Sequence, residues 1–223
     1  MNKKCLVIFS GGQDSTTCLF WAIEKFGIEN TKTLTFDYGQ RHHIELCAAE
    51  KIAKIAGVAF FRMKLSGLAQ LEGNSLTDSS VVVDNHLDSS SQLANTFVPG
   101  RNIVFLTYAA AYAYTQQISN LIIGVAQIDY SGYPDCRRKT IDAMENTLNL
   151  AMETSFKLHT PLMDLSKQET VELAKSLGAM KALAYSHTCY NGLFPPCGQC
   201  NACIIRAEGF RQAGVIDPLH ERV

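Results

Sequence analysis

No apolar run in this chain is long enough to cross a bilayer, which removes helical membrane proteins from consideration. Charge of one sign is also lacking. Lys and Arg total 20 against 21 Asp and Glu, a formal net charge of −1, so no field draws the chain to nucleic acid or an anionic membrane. A secretory core is missing too. After Met1-Asn2-Lys3-Lys4 the apolar stretch Cys5–Phe9 stops at Ser10-Gly11, too short for a signal peptide, and the expectation is a cytoplasmic protein. There is no internal repeat. The 223 residues, 47% of them hydrophobic, suffice for one large domain or a domain with an appendage.

A further absence is a lysine. Ser10-Gly11-Gly12-Gln13-Asp14-Ser15 follows the branched and aromatic run Cys5-Leu6-Val7-Ile8-Phe9 and precedes Thr16-Thr17-Cys18-Leu19-Phe20-Trp21. The order reads as buried strand, glycine turn and helix start, which makes a phosphate cradle. Glycines let the backbone approach a ligand, and the free N–H groups of the first helical turn favour an anion. A Walker loop would add a lysine for the outer phosphates. Here Asp14 stands instead, and it calls for an intervening cation.

Eight cysteines are present. Cys5, Cys18, Cys47 and Cys136 are scattered, whereas Cys189, Cys197, Cys200 and Cys203 fall within fifteen residues. In a reducing compartment such a cluster means metal before disulfide. Four thiolates suit a closed, structural zinc site, and consecutive CxxC units also suit an iron–sulfur cluster.

Along the chain, strands are expected at Cys5–Phe9, Thr31–Phe36, Val58–Met63, Leu121–Val125 and Phe156–Leu162. Helices are expected after the glycine turn, at Ile44–Ala56, at Ile103–Gln117, up to about Glu153, and from Lys167 to Leu177. This rhythm gives an α/β fold, a doubly wound and mostly parallel five-stranded sheet, with ligands at the strands' carboxyl ends. The glycine turn, the loops opening at Asp37 and Asp129, and Lys167 would converge there. Ser66–Phe97, rich in Ser, Asp and Asn, reads as a lid, a binding loop or disorder. From Gly178 onward lies an arm carrying the cysteine cluster. The expected division is residues 1–180 as the nucleotide domain and 181–223 as a metal-binding arm packed on it.

Ser10–Ser15 resembles the SGGxDS loop of the PP-loop ATP pyrophosphatases, which fold like adenine nucleotide alpha hydrolases. SGGQDSTT at Ser10–Thr17, FDYGQRH at Phe36–His42, VPGRN at Val98–Asn102, DYSGYPDCR at Asp129–Arg137, and TCYNG, CGQC and AC between Thr188 and Cys203 resemble, nearly end to end, the 7-cyano-7-deazaguanine synthase family of queuosine biosynthesis. The resemblance implies an ATP-dependent C–N ligase. It would convert 7-carboxy-7-deazaguanine and ammonia to the nitrile through adenylated acid and amide, with structural zinc and with ATP and Mg²⁺. The partners are small molecules, with no nucleic acid and no membrane, and the arm leaves room for a homodimer. No glutaminase-like segment is seen, so free ammonia or a partner supplies nitrogen. A tRNA-thiolating relative and a non-catalytic nucleotide-binding module with a zinc knuckle are the competing classes.

ATP binding is implied for Ile8, Phe9, Ser10, Gly11, Gly12, Gln13, Asp14, Ser15, Thr16, Thr17 and Cys18. The implied catalytic residues are Asp14, Lys167 and Arg101. Asp14 would meet pyrophosphate through Mg²⁺, and Lys167 would neutralise phosphate charge. Arg101 and Arg137 suit either the substrate carboxylate or the phosphates, or surface ion pairs. Asp129, Tyr130, Tyr133 and Asp135 would receive the guanine-like ring, the aspartates alternatively serving as turn or helix caps. His42 and His43 open a helix, where such a pair is more often structural, though histidine suits proton transfer. Cys189, Cys197, Cys200 and Cys203 are the metal ligands.

Overall fold

The computed structural model describes residues 3–71, 73–78, 80–83, 93–127 and 132–221. Strand β1 (Cys5–Ile8) is buried along its whole length because both its faces meet apolar layers. Leu6 and Ile8 join Leu34, Leu106, Leu121 and Ile141 in one layer. Cys5, Val7 and neighbouring Phe9 join Leu19, Ile52 and Ile122 in the other. Each such buried Leu or Ile contributes about 2 kcal/mol of gross transfer energy.

The chain continues through α1 (Gln13–Phe26), β2 (Thr31–Asp37), α2 (Ile44–Ala56), β3 (Ala59–Lys64), α3 (Arg101–Thr115), β4 (Asn120–Ile123), α4 (Arg138–Met152), β5 (Lys157–His159), α5 (Lys167–Ser176), α6 (Met180–Leu183) and α7 (Asn201–Gln212). The five strands run in the order β3-β2-β1-β4-β5. Every neighbouring pair is parallel, so the sheet expected to be mostly parallel is wholly so. Apolar residues of α1 and α2 cover one face and those of α3 and α4 the other. Strand order reverses at β1, with β2 on one side and β4 on the other, which opens a crevice at the carboxyl ends of β1 and β4.

β4 and α3 are displaced by one or two residues from expectation, and two larger differences stand out. β5 is shorter than Phe156–Leu162, since Pro161 has no N–H for a ladder. The segment from Gly178 is not a plain arm, for it contains α6 and α7. Phe210 of α7 packs with Val171 and Ala174 of α5, and with Ala179 and Leu183. Buried Arg206 of α7 ties the segment together. Its guanidinium donates to Asp217 at 2.6 and 2.8 Å, to Ser186 Oγ at 2.7 Å and to Thr188 Oγ1 at 3.0 Å. Within Ser66–Phe97 the described residues make tertiary contacts, the Arg41 N–H donating to the Leu76 carbonyl at 2.8 Å. Asn74 and Ser75 are buried, and Ser75 N–H donates to the Asn95 carbonyl at 2.8 Å.

Candidate active site

The crevice holds a cavity of about 1040 Å³, roomy enough for a nucleotide and a second small molecule. Its floor is the glycine turn. Gly11 has φ +88°, and a Cβ there would lie 2.6 Å from Ala49 N and 2.7 Å from the Glu45 carbonyl, so α2 presses directly on the turn and only glycine fits. Inside the turn, Ser15 Oγ accepts from Ser10 N–H at 3.3 Å and from Gly11 N–H at 3.2 Å. Gly12 caps α1 with no side-chain hydrogen bond. The first-turn N–H groups are therefore not capped from within, the arrangement an anion site requires.

Lys167 reaches this floor from across the fold. Ser166 and Glu169 form a capping box that fixes the start of α5. Lys167, the first residue of α5, donates from Nζ to Asp14 Oδ2 at 2.7 Å. A cation at a helix N-terminus opposes the helix dipole, so the carboxylate partner explains its position. The other oxygen, Asp14 Oδ1, is buried with no hydrogen-bond partner among the described residues, and so are both amide atoms of Gln13.

Of the residues expected to hold ATP, Ile8, Phe9, Ser10, Gly12, Gln13, Asp14 and Ser15 line the cavity. Gly11, Thr16, Thr17 and Cys18 do not. Thr16 Oγ1 and Thr17 Oγ1 donate back to the carbonyls of Gly12 and Gln13 at 2.8 and 3.0 Å. Cys18 is fully buried behind the turn, where burial pushes its thiol pKa well up.

At the opposite wall Arg101 Nη1 donates to the Tyr38 hydroxyl at 3.4 Å, and its Nε is buried with no partner among the described residues. Burial would lower the Arg101 pKa, but Tyr38, Asp135 and Tyr190 outweigh it and raise it. Tyr133 lines the cavity, 2.5 Å from Thr96 Oγ1 through its hydroxyl and with its ring 5.4 Å from that of Phe97. Asp135 does not line it. This carboxylate is buried and accepts from the Asn102 N–H at 3.1 Å, capping α3, the alternative duty expected for it. Arg137 stands exposed at the rim, donating to the Gly132 carbonyl at 3.3 Å. Asp37 pairs with Arg62 rather than facing the cavity, whereas Tyr38 and Gln40 of the same loop line it. Asp129 and Tyr130 lie outside the described residues.

The family model described as "Queuosine biosynthesis protein QueC" matches residues 4–214. The chain belongs to the QueC family. It is 56% identical to a 7-cyano-7-deazaguanine synthase of Chromobacterium violaceum, over 99% of this chain and 94% of that one. Identity to the enzyme of the same name from Laribacter hongkongensis is 55%, over 99% and 96%. Among solved structures, NMN synthetase from Francisella tularensis superposes with a TM-score of 0.55 at 17% identity, covering 99% of this chain and 82% of its own. A predicted subunit of tRNA methyltransferase from Methanocaldococcus jannaschii gives 0.50 at 21% identity, covering 77% and 74%. These last two share the fold.

In this QueC chain the cysteine cluster adjoins the cavity. The sulfurs of Cys189, Cys197, Cys200 and Cys203 all lie within 4.8 Å of one another, a donor set for a metal ion. Backbone N–H groups of Gln199 and Cys200 donate to Cys197 Sγ at 3.5 and 3.4 Å, the outer support that thiolate ligands use. Thr188, Tyr190, Asn201 and Ala202, interleaved with these cysteines, line the cavity. So do His42, Glu45 and His187, with His43 turned to solvent. His187, Tyr190, Glu45 and Asn201 carried no expected role. FDYGQRH and TCYNG contain Tyr38, Gln40, His42 and Tyr190 and were the available signal. Among the described residues no helix is long and apolar enough to cross a membrane.

Proposed function

We propose that this protein converts 7-carboxy-7-deazaguanine and ammonia to 7-cyano-7-deazaguanine, using ATP twice at one site. The observation that carries the reading is 56% identity, over 99% of the chain, to a protein named for that product. A carboxylate repels a nucleophile and has no good leaving group, so it is first adenylated. Ammonia displaces AMP to give the amide. Adenylation of the amide oxygen then permits loss of AMP to the nitrile. The chain's contribution is positioning and fixed charge.

In this reading the uncapped start of α1, from Gly12 to Ser15, holds the departing pyrophosphate, and Lys167 offsets its charge. The unpartnered Asp14 Oδ1 suits Mg²⁺, which binds carboxylate and phosphate oxygens together and would neutralise the phosphates. Arg101 and Arg137 are the candidate anion receivers, and Tyr133 lies against the deazaguanine ring, with Asp129 and Tyr130 proposed for the same end. Zinc is the metal proposed for Cys189, Cys197, Cys200 and Cys203. Four sulfurs about 2.3 Å from a tetrahedral ion lie about 3.8 Å apart, and the sulfur pairs Cys200–Cys203 and Cys197–Cys203 are separated by 3.5 and 3.9 Å. Residues 1–180 then supply adenylation and residues 181–223 the metal arm, whose Tyr190 and Asn201 complete the pocket. The setting proposed is cytoplasmic, with small-molecule partners and no nucleic acid.

Purified protein incubated with ATP, Mg²⁺, ammonium and 7-carboxy-7-deazaguanine is expected to release AMP and pyrophosphate and to form the nitrile by mass. Release of ADP and phosphate, or no turnover with the acid, would sink the proposal.

A further inference from the structure

Converting ammonium to a nitrile strips every proton from one nitrogen, and none of the residues given roles above takes a proton. His42 is 7% exposed and lines the cavity. Its Nε2 lies 2.9 Å from Glu45 Oε2. A carboxylate oxygen accepts, so Nε2 carries the hydrogen and the neutral ring keeps its lone pair on Nδ1. That Nδ1 is buried and has no hydrogen-bond partner among the described residues, an arrangement a purely structural histidine has no reason to keep.

Its neighbours locate it between the two halves of the reaction. Glu45 Oε1 is 3.3 Å from where a Cβ on Gly12 would stand, so the pair abuts the phosphate turn. The ring of Tyr190 lies 6.5 Å from that of His42, and Tyr190 is also close enough to Arg101 to raise its pKa. His42 thus lies beside the phosphate cradle, in the same cavity that Arg101 lines and where an acyl–phosphate bond would form.

Resting on the function proposed above, we infer that His42 Nδ1 is the base that deprotonates the nitrogen, with Glu45 holding the ring and stabilising the imidazolium. In the first half, ammonium gives one proton to Nδ1, the nitrogen–carbon bond forms, the carbon–oxygen bond to AMP breaks, and a second proton passes to Nδ1 once the first has gone to solvent. In the second half, the amide oxygen bonds the α-phosphorus as pyrophosphate leaves. The remaining N–H protons go to Nδ1, one as the adenylated imidate forms and the last as AMP departs. Between steps the imidazolium returns its proton to solvent. Glu45 itself stays ionised, as the carboxylate partner of a catalytic histidine does.

His42→Gln places an amide N–H near Nε2, keeping the bond to Glu45 while deleting Nδ1. It is expected to retain acid-dependent ATP–pyrophosphate exchange within about threefold of wild type while ammonia-dependent amide formation falls about 10²-fold or more. Hydroxylamine, unprotonated at neutral pH, is expected to restore acyl transfer in the variant as the hydroxamate. His42→Asn serves as a second variant, with thermal melting as the folding control for both. Unchanged amide formation would overturn the inference. So would loss of exchange in a variant that melts like wild type, or failure of hydroxylamine to rescue. Absence of exchange in the wild-type protein would overturn the function itself instead.

Discussion

His159 lies against the chain's one tryptophan. Its ring centroid is 5.6 Å from that of Trp21 and 5.6 Å from that of Phe26. Burial, with Lys25 and Lys157 nearby, lowers its pKa to about 4. An unfolded histidine titrates near ~6.5, so between those values the unfolded chain binds the proton more readily. The stability held by the neutral ring is complete above about pH 6.5 and is lost as pH falls toward 4. An imidazolium beside an indole quenches it. Trp21 emission is therefore expected to stay constant from pH 8 to about 5.5 and to drop with a midpoint near 4; a midpoint near 6.5 would contradict this packing. At this scale the sequence was informative where a side chain meets backbone of its own segment, as in the glycine turn. It brought Lys167 and Asp14 to one sheet edge but did not show that they pair directly, since they are 153 positions apart and meet only because two loops share that edge. Asp135 shows the converse. Its place before a helix suggested a cap or a ligand contact, and only the fold shows that the helix it caps is α3.

Among elements, α6 and α7 were not expected from the sequence, and α7 is the longer. Cys200 is its N-cap and Cys203 lies in its first turn, and Gly209 interrupts what would otherwise read as a helical run. The structure gives that glycine a purpose. A Cβ on Gly209 would stand 3.1 Å from Lys167 Cβ and 3.2 Å from the Lys167 carbonyl oxygen. The missing side chain lets α7 close onto the start of α5 and hold the lysine stem. Gly209→Val is expected to shift Lys167 off Asp14 and to lower ATP–pyrophosphate exchange about 10-fold or more without touching a ligand, since sub-ångström misplacement of a positioned group is costly. Retained exchange would show that the stem tolerates the added bulk. Strands β1 to β4, by contrast, were legible to within two residues at each end, and β5 was overextended. A parallel sheet buried on both faces writes continuous branched runs, and α2 appears at Ile44–Ala56 as its periodicity and Gly57 stop require.

Across the whole molecule, the cysteine loop and the sheet pack as separate clusters and are joined in the cavity. The apolar layers around β1 do not include the four cysteines, which pack in a cluster of their own with Val83 and Tyr190. Stripping the metal with a strong chelator is therefore expected to leave most of the far-ultraviolet helical signal while abolishing acid-dependent exchange. Metal analysis of the untreated protein should give about one zinc per chain and no visible colour. A brown protein would point to iron and sulfide. Global unfolding on chelation would show that the sheet depends on the loop.

Cys189, Cys200 and Cys203 alternate along the chain with Thr188, Tyr190, Asn201 and Ala202, which face the cavity. A tail built this way is not an interchangeable cartridge. Grafted onto another chain with the same sheet, it would bring one wall of the chamber along with its four sulfurs. Exchanging tails would thus replace part of the pocket lining while leaving the glycine turn as it stands.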